Sequence, residues 1–327
     1  MFTRTNKFAR PLRVLPAVAL CTAAVPAPAH EIAGNRFFPA TLAIDDPGVN
    51  DEVALPTVAV TKSGDEPPAK EIDISGEYVK RLTDALGLSV APTWKHFHTP
   101  GAPDVSGFDN VDTALKYRLL RDPVHELVVS VGLDVAWGGS GAKGVADPFS
   151  TYTPTVYFGK GFGDLPDTLS WARPFAVTGQ LGYAVPGSGR SAIAPDDGGP
   201  ATFANNPQFV DWGLSLQYSL PYLKSAVYDV GLPDFVNHLI PVVEASFQTP
   251  AANTFGTDLK TIGTVNPGII YVSNYYQIGI EAIIPINRDS GRSVGAIAQL
   301  HVYLDDLMPT SLGKPLFGGT VGPASPF

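Results

Sequence analysis

Residues 212–220 read Trp-Gly-Leu-Ser-Leu-Gln-Tyr-Ser-Leu. Successive side chains of an extended strand point to opposite faces. Trp212, Leu214, Leu216, Tyr218 and Leu220 therefore share one face, and Gly213, Ser215, Gln217 and Ser219 share the other. A sheet of such strands has one apolar and one polar side. A soluble sandwich buries the apolar side, whereas a membrane barrel turns it toward lipid.

The N-terminus speaks to compartment. Arg4, Lys7, Arg10 and Arg13 precede an apolar run from Val14 to Val25, followed by Ala27-Pro28-Ala29. This order of basic, apolar and small residues predicts a secretory leader over residues 1–29. The single cysteine, Cys21, lies inside that leader. Neither a disulfide scaffold nor thiol chemistry is then available to the mature chain. Losing the four basic residues leaves 18 basic against 31 acidic residues, a net charge of about −13. Such a charge argues against nucleic acid as a partner. Charged residues make up only 16% of the chain, against about 25% in soluble domains. No apolar run reaches the roughly 18 residues of a membrane helix, so a spanning form has to be a barrel.

Twelve segments alternate: about 52–62, 71–81, 85–97, 109–120, 125–137, 152–161, 174–186, 210–220, 238–248, 266–273, 275–286 and 294–305. Most run nine to thirteen residues, near the roughly 9–11 that cross a bilayer on a tilt and well beyond the five or six usual in soluble sheets. Odd-numbered connections are mostly long and even-numbered ones mostly tight, the asymmetry of outer-membrane barrels. Two even-numbered connections, 163–172 and 221–238, break the rhythm and are expected to hold short helices. Aromatic residues cluster toward strand ends: Trp94, Trp137, Tyr152, Trp212 and Phe247 at the outer end, Phe175, Tyr218 and Tyr276 at the inner end. Two such girdles mark the lipid headgroup levels. The fold class predicted is all-β: an antiparallel up-and-down transmembrane barrel of about 12 strands.

Six stretches resemble one family. They are HEIAGNRFFPATLAIDDPGVNDE (30–52), STYTPTVYFGKGFGDLPD (150–167), RPFAVTGQLGYAVP (173–186), GLSLQYSLPYL (213–223), YYQIGIEAIIPINR (275–288) and AQLHVYLDDLMPTSLGKPLF (298–317). The family is the group of outer-membrane proteins named for the MetA pathway of phenol degradation. The resemblance implies a bacterial outer-membrane barrel and, through the family's name, aromatic or otherwise apolar cargo. It carries no catalytic motif.

With the apolar face outward, the inward set includes Glu77, Arg81, Lys116, Arg118, Asp134, Gln180, Gln217, Glu244, Glu281, Gln299, His301 and Asp305. These side chains either line an aqueous passage or pair across the lumen and fill it. His301 with Glu281 is the place where imidazole–carboxylate chemistry would sit, but no serine elbow accompanies it. His96 and His98 permit two metal ligands without an evident third. Gly139 to Gly144 matches G-x-G-x-x-G but opens no helix, so nucleotide binding is rejected. No catalytic residues, metal or cofactor are assigned. The acids within 31–52 would bind calcium only loosely, and this stretch reads as a lead-in or a plug in the barrel mouth.

The expected organisation is a leader (1–29), a periplasmic segment (30–51), a barrel (52–306) and a periplasmic tail (307–327). The expected function is passive uptake of small solutes across the bacterial outer membrane, with lipid as surroundings. The alternatives are a barrel-embedded lipid hydrolase and a structural or adhesive barrel with a blocked lumen. Oligomeric state is not legible.

Overall fold

The computed structural model describes residues 31–193, 201–255 and 258–318. The leader, much of the loop after Ile193 and residues 319–327 lie outside them. Twelve antiparallel strands form one sheet: β1 (Glu52–Lys62), β2 (Lys70–Arg81), β3 (Leu86–Ala91 continued by Thr93–His98), β4 (Val105–Phe108 continued by Asp112–Asp122), β5 (Leu127–Ala136), β6 (Thr151–Gly161), β7 (Phe175–Pro186), β8 (Gln208–Tyr218), β9 (Leu239–Ala252), β10 (Ile262–Val272), β11 (Tyr276–Pro285) and β12 (Gly295–Tyr303). Each pairs with its chain neighbour, and β12 returns to pair with β1. Among the described residues, closure leaves the main ladder without an open edge, the condition for a sheet to sit in lipid.

The faces follow the alternation. Leu214 and Leu216 are 46% and 47% exposed on the outside, whereas Ser215 and Gln217 between them are 1% and 2% exposed. Large apolar side chains are exposed on the outside of other strands too, among them Ile74, Leu88, Leu133, Val156, Val243 and Ile280. Trp212 stacks on Phe247 at 4.3 Å, and Phe175 meets Tyr218 edge-on at 4.7 Å. Trp94 stacks on His96, and Trp137, Tyr152 and Tyr276 are exposed.

Strand boundaries depart from expectation in instructive places. The third strand breaks at Pro92, whose missing N–H cannot continue a ladder. Beyond that break the β3 and β4 extensions pair with each other, from Trp94–Phe108 to Phe97–Val105, while the β3 extension stays paired with β2. The last strand stops at Tyr303, not Asp305. A helical turn, Leu304–Leu307, follows, because the Leu304 and Asp305 amides donate to the Asp51 carbonyl and turn the chain under the barrel. Connections 163–172 and 221–238 hold helical turns at Asp167–Ala172, Leu220–Tyr222, Leu223–Val227 and Asp234–Asn237.

Candidate functional site: the lumen and its N-terminal segment

Residues 31–51 are largely buried. They run up inside the barrel from the end that carries the N-terminal segment and the β12 turn, bend near mid-height, and return to enter β1. The segment has two chemically different halves. Its root is apolar. Ile32 and Phe37 pack against Ile240, Val242, Ile270, Val272 and Tyr303, and Phe38 and Ala33 join Val128 and Ala176. Burying each large apolar side chain contributes about 1.5–3 kcal/mol. Arg36, 1% exposed, pairs with Glu126 at 3.3 Å, donates to the Arg173 and Pro174 carbonyls, and lies 3.9 Å over the Tyr222 ring. Tyr222 closes the network by donating to Glu126 at 2.7 Å.

The tip is polar. The Leu42 and Ala43 amides donate to Glu244, and the Asp45 amide donates to Gln180 at 2.9 Å. Lys116 donates to the Asp45 carboxylate at 2.6 Å and to the Asp46 carbonyl at 2.9 Å. Ser130 donates to the Pro47 carbonyl, and Gln277 to the Ala40 carbonyl. Where the segment leaves for β1, Asp51 holds Lys80 at 2.6 Å and Arg81 at 2.7 Å. Arg118 reaches back to Glu31 at 2.7 Å. Burial, reinforced by the Glu52 carboxylate, pushes the Asp46 carboxyl up to about 8.

Above the tip lies a cavity of about 450 Å³, floored by Thr41–Asp45 and walled by Thr57, Ser75, Glu77, Thr93, Asp134, Thr153, Thr155, Tyr157, Gln180, Asp211 and Gln299 among others. It shares Thr153 and Asp211 with a hollow of about 490 Å³ under the long loops. Its lining has four acids, Asp45, Glu77, Asp134 and Asp211, and no base. Asp134 accepts from Thr155 and Tyr157, both at 3.0 Å.

Several inward residues thus meet the N-terminal segment: Arg81, Lys116, Arg118, Gln180 and Glu244 hold it directly. Glu77 and Gln299 face the cavity, and Gln217 lies against Ser215. One pairing needs correction. His301 meets Glu52 at 3.0 Å, not Glu281, because its cross-strand partner on β11 is Gln277 while Glu281 sits opposite Ile297. His98 pairs with Asp104 and His96 with Ser106. Sequence reasoning missed Arg36, Glu126, Asp45, Asp51 and Tyr222. A signal existed in Arg-Phe-Phe-Pro-Ala (36–40), too apolar for a solvated lead-in. A second lay in Ile240, Val242, Ile270 and Val272, inward residues that need a cover.

No protein-family model matches the chain, and no curated protein matches it. Among solved structures, similar folds include the COG4313 outer membrane channel from Pseudomonas putida F1, with a TM-score of 0.49, 12% identity, and coverage of 82% of this chain and 99% of that one. The NanC porin gives 0.43 and 10% over 76% and 98%. The KdgM porin gives 0.41 and 10% over 76% and 98%.

Proposed function

We propose that this chain is an outer-membrane channel for small polar solutes, gated by the polar tip of its own N-terminal segment. The observation carrying this reading is the split within residues 31–51. An apolar, ion-paired root anchors the segment, while its tip is held by polar contacts, backbone hydrogen bonds and the Lys116–Asp45 pair, which water can replace more readily than an apolar core. In the seated position the segment fills the lower lumen, so passage requires the segment to move aside, with the tip released first. The acids around the outer cavity favour cationic or hydroxylated solutes over anions, since like-charge linings repel. Aromatic or apolar cargo rests on the family resemblance alone and suits a lining of hydroxyls and carboxylates poorly. The hydrolase reading finds no support in His301, whose imidazole is taken by Glu52.

A built-in lock tests gating. A Cβ on Gly213 would stand 3.6 Å from the Ile44 Cβ, within the 3.5–4.5 Å of disulfides, and 2.8 Å from the Ala245 carbonyl oxygen, so the strand has to give slightly to accept it. The double variant Ile44→Cys/Gly213→Cys, recorded in planar bilayers, is expected to lose conductance when oxidised and regain it on reduction. Equal conductance in both states would refute gating by the tip. Conductance in neither, with wild type also silent, would favour the blocked, structural barrel.

A further inference from the structure

Glu244 and Glu281 create a charge problem that the plug alone does not solve. They are 0% and 2% exposed, and both side chains face inward. Glu244 on β9 stands opposite Asn266 on β10, and Glu281 on β11 stands opposite Gly268. Asn266 and Gly268 are two apart on one face. Because Gly268 has no side chain, Glu281 leans across it toward the patch that Glu244 and Asn266 share. One Glu244 oxygen is engaged by the tip amides of Leu42 and Ala43. Its other oxygen, both Glu281 oxygens and the Asn266 amide oxygen are buried without a hydrogen-bond donor. Among the described residues, no basic side chain pairs with either carboxylate. Two buried carboxylates without a counter-charge are unfavourable unless a proton or a cation joins them.

The geometry points to a divalent-cation site, of the calcium class, clamping the plug tip to the wall. The register sets these buried oxygen atoms on one patch of the lumen wall, and two carboxylates balance a charge of +2. Calcium accepts an irregular set of oxygen ligands, completed here by water, whereas magnesium insists on a regular octahedron. No three His, Cys, Asp or Glu side chains gather at a metal-like point among the described residues. This site instead adds an amide to two carboxylates. It does not depend on whether the barrel conducts, so it stands or falls separately from the gating proposal.

The test uses the refolded full-length mature barrel, titrated with CaCl2 in a calorimeter and melted with CaCl2 or EDTA, with NaCl matched for ionic strength. Calcium is expected to release or absorb heat saturably and to raise the unfolding midpoint, since a ligand bound only by the folded state stabilises it. Glu281→Gln, isosteric and uncharged, is expected to weaken calcium binding more than about tenfold while raising the midpoint in EDTA. Asn266→Ala should weaken binding without that rise. Correct folding of each variant is checked by its shifted migration in unheated gels. A wild type indifferent to calcium and sensitive only to pH would mean that the two carboxyls share a proton, overturning the proposal. So would a response equal to that of NaCl, or undiminished binding by folded Glu281→Gln.

Discussion

Arg36 is the residue on which the seated plug most depends. It is a fully buried cation whose donors reach one carboxylate and two carbonyls, with an aromatic ring beneath. Breaking a buried pair leaves its partner charged and unsolvated, at a cost of about 3–5 kcal/mol. Arg36→Met is therefore expected to loosen residues 31–51 by roughly that amount, read as lost amide-exchange protection and higher conductance. Adding Glu126→Gln should restore part of the loss, because the stranded charge is then gone. At this scale the sequence was only partly legible. Ser215 and Gln217 could be assigned inward from their neighbours, but Arg36 sits in a segment with no period to read.

The N-terminal segment is the element that decides what the lumen can do. Its Asp46 carboxyl has an ordinary value of 3.8 and rises to about 8 when seated, through burial and then Glu52, partly offset by Lys116. The seated segment therefore keeps a proton that the released one gives up. Between pH 3.8 and about 8 the released form binds fewer protons, so seating weakens as pH rises through that window and levels off above it. Open-channel probability in bilayers is expected to climb from about pH 5 to about pH 8. Asp46→Asn should flatten that climb. Strands were legible at this scale because burial on one side imposes a period of two. The segment was not, because its burial is imposed by the barrel around it.

For the whole molecule, closure converts twelve half-polar strands into a vessel whose contents no strand specifies. The outer cavity gathers Glu77 from β2, Asp134 from β5 and Asp211 from β8. These acids are scattered in sequence and converge only when β12 meets β1. Lys116 holds Asp45 and lies near Glu77 and Asp134, but the four acids outnumber it and leave a net negative field. The conducting state is expected to select cations, and Asp134→Asn/Asp211→Asn to cut the cation-to-anion permeability ratio, measured as a reversal potential across a KCl gradient.

The chain by itself determined the closed barrel and the direction of its faces. Alternation, strand length and aromatic placement are local consequences of one side meeting lipid. Only the tertiary structure decided that His301 meets Glu52, that Glu281 leans over Gly268 beside Glu244 and Asn266, and that residues 31–51 fill the lower lumen. Those outcomes depend on register and on which surfaces need cover. Both are set by pairings between residues far apart in the chain, which no local period encodes.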